Sequence, residues 1–173
     1  YLLFVGEAQD DLDGKTASGI AYWRPDHCLA QFGLPAARQN TGFPEMSIAQ
    51  AATAGAGTMV IGTASAGGAL PDHWIPYCVA ALEAGMDLAG GLHTPMALVP
   101  EIAAAAERTG NRVIDVRVPP PDLPCGTGKK RTGRRLLAVG SDCCVGKMYS
   151  TLSLQRDMVA RGMNATFRAT GQT

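Results

Sequence analysis

A lysine behind a stretch of small residues offers the clearest chemistry in this chain. The run Leu136-Leu137-Ala138-Val139 ends at Gly140, passes through Ser141, Asp142, Cys143, Cys144 and Val145, and reaches Gly146-Lys147-Met148. An apolar strand, a loop of small residues and a helix opened by Gly-Lys form the layout of a phosphate-binding loop. Small residues let backbone N–H groups turn inward around an anion. The helix N-terminus adds its positive dipole end, and Lys147 adds a full charge on a flexible stem. The candidate anion-binding residues are therefore Ser141, Cys143, Cys144, Val145, Gly146, Lys147 and Met148.

The pattern departs from the standard loop in two places. Ser141 stands where the first glycine belongs, with Gly140 one residue before it. Met148 stands where a Ser or Thr hydroxyl normally ligates the magnesium of a nucleoside triphosphate. The expectation is thus a phosphate or pyrophosphate ligand held without metal, rather than a magnesium-dependent hydrolase. Asp142 is out of place beside an anion unless its carboxylate turns toward an amine or a backbone N–H. It is a candidate base or amine-binding residue. Cys143 and Cys144 near a helix N-terminus could be nucleophilic thiols or simply small residues that fit a tight loop.

Two other glycine-rich strand ends could hold ligands. Residues 62–68 (Gly-Thr-Ala-Ser-Ala-Gly-Gly) follow an apolar strand, where doubly wound sheets bind ligands, although no acidic residue is spaced to hold a ribose. A tight strand–helix turn explains the same residues. The second, at 90–94, carries His93, a candidate acid–base or substrate-binding group or a solvated loop histidine. Lys129, Lys130, Arg131, Arg134 and Arg135 precede the phosphate loop. They read either as a solvated linker or as an attraction for a polyanionic ligand.

The elements that must position these groups alternate. Residues 1–6, 29–32, 58–63, 86–89 and 112–116 read as strands. Residues 10–19 read as a partly helical segment. Helices are expected at 47–54 with Ser47 as cap, at 71–84 closed by Gly85, and at 99–108 with Pro100 in the first turn and Gly110 as stop. Strand–helix alternation implies a parallel sheet with right-handed crossovers. A Pro-, Gly- and charge-rich stretch at 119–133 reads as a linker. The boundaries expected are 1–118 for the first domain and 134–173 for the start of a second. In the second, a helix over 146–161 buries Leu152, Leu154, Met158 and Val159, and residues 166–173 read as another strand. The fold class expected is α/β: a Rossmann-like parallel-sheet domain followed by the start of a P-loop NTPase-like domain.

Composition sets limits. The chain has 173 residues with 15 basic and 15 acidic side chains and no net charge, so no general nucleic-acid or membrane-surface signal is present. At 46% hydrophobic and with 21 glycines it can build a core with close helix–sheet packing. No secretory signal and no apolar run of about 18 residues is found, so no membrane span is expected. Cys28, Cys78, Cys125, Cys143 and Cys144 are odd in number and form no C-x-x-C pair. Reduced thiols in a cytoplasmic protein, without disulfide or zinc, are expected. Both ends look cut, since the chain opens inside an apolar run.

Residues 140–147 resemble the variant phosphate loop of dethiobiotin synthetase, including its extra residue. The whole chain is more similar to the D-glutamate N-acetyltransferase family (DgcN type), once a family of unknown function. The resemblance rests on Tyr-Leu-Leu-Phe-Val-Gly (1–6), Lys-Thr-Ala-x-Gly-Ile (15–20), Trp-Arg-Pro (23–25) and Leu-Glu-Ala-Gly-Met-Asp-Leu-Ala-x-Gly-Leu-His (82–93). It continues in Gly-Thr-Gly-Lys-Lys-Arg-x-Gly-Arg-Arg-Leu-Leu (126–137), Val-Gly-Lys-Met-Tyr (145–149) and Phe-Arg-Ala-Thr-Gly-Gln-Thr (167–173). It implies an acyltransferase moving acetyl from acetyl-CoA to the amino group of D-glutamate, with the CoA pyrophosphate on Gly146 and Lys147 and no metal. It also implies that most of the P-loop domain is missing here. The candidate bases are Asp142 and His93. The partners expected are a small amino-acid substrate and further copies of the chain in a homo-oligomer, with no nucleic acid and no membrane. An ATP-dependent ligase or kinase of the dethiobiotin synthetase type, or a non-catalytic nucleotide-binding module, are the alternatives.

Overall fold

Strand β1 (Leu2–Gly6) is buried at all five positions. Such a strand needs a neighbour at each edge and a layer on each face, and it has both. The computed structural model describes residues 1–119, 121–122, 126, 128–130, 132–141 and 145–169. It places β1 between β2 (Ala30–Gly33) and β3 (Thr58–Ile61), followed by β4 (Asp87–Gly90) and β5 (Val113–Asp115). The order is β2-β1-β3-β4-β5 and every pairing is parallel. Leu2 pairs with Ala30 on one side and Met59 on the other.

The strand order dictates the layers. Moving from β1 to β2 goes one way along the sheet; every later step goes the other way. With right-handed crossovers, the first connecting helix lies on the face opposite to all the others. Helix α1 (Lys15–Trp23) accordingly packs Ala17 against Leu3 and Val5. Helices α2 (Ile48–Thr53), α3 (Ile75–Glu83) and α4 (Pro100–Thr109) share the other face with Leu2, Phe4, Met59 and Leu88. Alternate β1 side chains thus feed two cores, as strand geometry requires.

Helix ends follow their local chemistry. Ser47 and Gln50 form a reciprocal capping box at α2. Gly110 closes α4 in the left-handed conformation (φ +74°). Two expected boundaries differ. The helix expected from Pro71 starts at Ile75, behind a short 3-10 turn at Asp72–Trp74, because Pro76 has no N–H and suits only a first turn. The segment expected to be helical from Asp10 instead begins at Lys15 and continues past Gly19 to Trp23. The Asp10 carboxylate accepts from the N–H groups of Leu12 (2.9 Å) and Asp13 (3.0 Å), which holds that stretch as a turn.

The chain divides into two compact units, 1–119 and 120–173. In the second, α5 (Lys147–Ala160) begins behind Gly146 (φ +83°) and stops before Gly162 (φ +78°). The strand expected at 136–139 is absent: the run is irregular, with Leu136, Leu137 and Val139 at 65%, 69% and 82% exposure. The core expected on α5 is absent too. Leu154 and Val159 are exposed, Leu152 and Met158 only half-buried. Residues 166–169 carry no strand, and 170–173 lie outside the described residues. The reason is common to all three corrections. A parallel strand is held by ladder partners and covered faces, and no strand is found among the described residues of this unit.

Candidate functional site

The described ends of the glycine-lysine loop, Gly140 on one side and Val145 to Lys147 on the other, lie close together. A side chain at Gly140 would put its Cβ 2.9 Å from Val145 Cγ2 and 3.3 Å from Lys147 Cδ, so the lysine stem lies close over Gly140. Gly146 adopts a left-handed conformation as N-cap, and Lys147 is the first residue of α5. The half-buried Lys147 therefore sits among the N–H groups that a helix leaves unpaired at its start. Met148 is exposed at the position of the missing hydroxyl. The Thr151 hydroxyl, one turn further on, bonds back to the carbonyls of Lys147 and Met148, both at 2.9 Å. Ser141 is exposed, as is Val145, and Asp142, Cys143 and Cys144 lie outside the described residues.

In the first unit, ligand chemistry gathers where β1 and β3 end. The chain leaves these neighbouring strands toward opposite faces, which makes a topological switch point. A crevice of about 240 Å³ opens there, lined by Glu7, Ala8, Asp13, Thr63, Ala64, Ser65, Pro71 and Trp74. Glu7 accepts from Trp74 Nε1 (2.8 Å) and pairs with His73 Nε2 (2.7 Å). The Trp74 ring packs edge-on to Phe4, with centroids 5.2 Å apart. Gly6 (φ +52°) permits this, since a Cβ there would lie 2.7 Å from the indole.

The glycine-rich turn at 62–68 packs the sheet against α1 at its start and borders the crevice beyond. Gly62 serves packing: a Cβ would lie 2.6 Å from that of Ala17, and Ala17 N–H donates to the Gly62 carbonyl at 2.8 Å. Thr63, Ala64 and Ser65 line the crevice. His93 stands beyond them, exposed, its N–H donating to Gly68 O at 2.7 Å and its ring against Gly68. A larger groove of about 800 Å³, lined by Leu70, Ile75, Val79, Leu98 and Val99 among others, is chiefly apolar, and its two acids, Asp72 and Glu101, are exposed.

Residues 33–119 match the N-terminal Rossmann-like domain of the DUF1611 family, a domain of unknown function, and residues 124–173 match that family's C-terminal P-loop domain. The chain belongs to the DUF1611 family. A D-glutamate N-acetyltransferase of Tritonibacter scottomollicae is 51% identical over 173 residues, which is 100% of this chain and 52% of that protein. One from a Pseudoalteromonas species is 40% identical over 172 residues, 99% of this chain and 52% of that protein. The chain thus spans about half the length of the curated relatives it matches. A crystal structure of a DUF1611 family protein from Anabaena variabilis matches with a TM-score of 0.76 at 32% identity, over 99% of this chain and 53% of that one.

Other residues of this DUF1611 chain separate into structural and unassigned groups. Burial pushes the Cys78 thiol up to about 12 and raises that of Cys28, which suits packing rather than nucleophilic attack. No cluster that could hold a metal occurs among the described residues, nor any helix long and apolar enough to cross a membrane. Lys129, Lys130, Arg134 and Arg135 are exposed, and Arg131 lies outside the described residues. Sequence reasoning missed Glu7, His73 and Trp74. The available signal was position: Glu7 is the first residue beyond the glycine that ends β1, where doubly wound sheets face their ligands.

Proposed function

We propose that this DUF1611 chain forms the Rossmann-like part and the opening of the P-loop part of a D-glutamate N-acetyltransferase that uses acetyl-CoA. The observation that carries the reading is the loop at 140–147, with Lys147 heading α5, its stem over Gly140, and Met148 in place of a magnesium-binding hydroxyl. The function named for the two relatives supplies the acceptor. Lys147 and the N–H groups around Gly146 hold the pyrophosphate of CoA, with Ser141, Cys143, Cys144, Val145 and Met148 forming the rest of the loop.

The chemistry asks for a base, because an ammonium group must lose a proton before its nitrogen attacks the thioester carbonyl. Asp142 and His93 are the candidates. The new bond is N–C, the broken bond is C–S, and CoA leaves as the thiol. N–H donors stabilise the oxyanion that forms between these events. Free thiols at the half-buried Cys28 and the buried Cys78 suit a reducing, cytoplasmic setting.

The test is release of CoA thiol by full-length protein supplied with acetyl-CoA, D-glutamate and a chelator. The expected result is release with D-glutamate, and a rise in KM for acetyl-CoA of about tenfold or more in Lys147→Ala. Turnover that requires ATP and magnesium, with no thiol released, would overturn the reading in favour of a ligase.

A further inference from the structure

The two edges of the sheet are finished differently. On the β2 edge the outward backbone groups are taken. Gln31 N–H donates to the Pro44 carbonyl at 2.9 Å, Gln31 O accepts from Met46 N–H at 3.0 Å, and Gly33 N–H donates to the Glu45 carboxylate at 2.6 Å. The β5 edge lacks such cover. Arg112 O accepts from Leu88 N–H and Val116 N–H donates to the Gly90 carbonyl, both toward β4. Alternation along the strand then turns the N–H and C=O groups of Val113 and Asp115 outward. Of these, only Asp115 O has a partner among the described residues, the Val118 N–H at 3.0 Å.

An open ladder recruits another strand, and native edges are commonly blunted by charges, proline or a bulge. None of these protects β5. It pairs with β4 in continuous register from Val113 to Asp115, and residues 111–118 hold no proline. Its charged side chains are tied into their own chain. Arg112 donates to Asp87, the Asp115 carboxylate accepts from the N–H groups of Met96 (2.8 Å) and Ala97 (3.0 Å), and Arg117 donates to the Gly91 carbonyl. Apolar surface borders the edge. Of the six large hydrophobic side chains exposed in the first unit, three lie here: Val116 and Val118 just beyond β5, and Leu98 in the turn that Asp115 holds.

We propose that β5 is a dimerisation edge, where a second copy of this chain adds its own β5 antiparallel across a two-fold axis. Val113 and Asp115 exchange backbone bonds with the partner strand, and Leu98, Val116 and Val118 of each copy are covered. A second copy is the occupant that fits. A two-fold contact needs only one patch that complements itself, and two identical antiparallel strands present N–H to C=O in both directions. With the β2 edge closed, strand addition stops at two copies and does not grow into a fibre. The ladder is short, so the apolar flank supplies the rest of the contact. The inference stands on this edge alone and not on acetyl transfer.

The test is sedimentation velocity of full-length protein over a range of concentrations, with backbone hydrogen exchange across 112–118 followed alongside. The expected result is a dimer whose Val113 amide exchanges slowly. Val113→Pro removes an N–H that β4 does not use, and proline is tolerated on the outer side of an edge strand. It should raise the dimer dissociation constant about tenfold or more, with the circular dichroism spectrum unchanged. Val118→Lys is the second variant. It sets two like charges at the contact and should also favour the monomer, in which exchange of the Val113 amide becomes fast. A monomer at every concentration would overturn the proposal, as would association undisturbed in both folded variants. Slow exchange of the Val113 amide in dissociated Val118→Lys would overturn it too, because the edge would then be covered from within its own chain. None of these readouts requires turnover, so failure of the acetyltransferase assay is a separate result.

Discussion

Two apolar runs of this chain have the same local pattern and opposite fates. Leu2-Leu3-Phe4-Val5 is wholly buried, each residue at 0% exposure, whereas Leu136, Leu137 and Val139 are 65%, 69% and 82% exposed. Both lead into a glycine and a loop. The difference is company: β1 has a strand on each side and helices on both faces, and no strand accompanies the second run among the described residues of its unit. Hydrophobic sequence states a demand for burial, and only tertiary partners meet it.

The largest expected contrast follows from that comparison. Leu2→Ala should cost about 2–5 kcal/mol of unfolding free energy, as for a fully buried leucine. Leu137→Ala in the same chain should cost about 0.5 kcal/mol or less. Urea unfolding followed by circular dichroism measures both, and equal losses would break the comparison.

Glycines sharpen it at intermediate size. Gly62→Val forces a side chain against Ala17, where even a Cβ would sit at 2.6 Å, and overpacking of that kind costs about 1–3 kcal/mol. Gly162→Ala meets no atom within 4 Å and bears only the left-handed backbone, at about 1 kcal/mol. The first should lower the cooperative unfolding midpoint of the sheet unit. The second should reduce only the helicity contributed by α5.

The smallest effect is electrostatic. Arg112 donates from Nη2 and Nε to Asp87, at 2.6 and 3.0 Å, and from its backbone at 2.8 Å. These bonds hold the Asp87 carboxyl below its ordinary 3.8. A carboxyl lowered in the folded state adds stability that is complete above its ordinary value and lost as pH falls through the folded one. Stability should therefore fall with acid below about pH 4, and Asp87→Asn should flatten part of that slope. An unchanged slope in denaturation at stepped pH would remove the pair from the account.

The sequence was most legible where local signals and tertiary context agree. Ser47 with Gln50, Pro100 and Gly110 mark helix ends by their own chemistry, and the apolar runs at 2–5 and 58–61 mark central strands. Where a boundary depended on competition, local reading slipped: Asp10 holds a turn that helix periodicity alone does not reveal, and Pro76 delays α3. The glycine-lysine loop stood out by its spacing, and the helix start that the spacing implies is found, with Gly146 as cap and Lys147 opening α5. The crevice was not, because Glu7, Thr63 and Trp74 are separated in sequence and meet only when β1 and β3 pair.

The most direct test of the central claim is calorimetric titration of acetyl-CoA into full-length protein in the presence of a chelator, repeated with Lys147→Ala. Binding without metal, weakened about tenfold or more in Lys147→Ala, is the predicted result. Unchanged affinity in the folded variant, or binding of ATP only when magnesium is present, would contradict it.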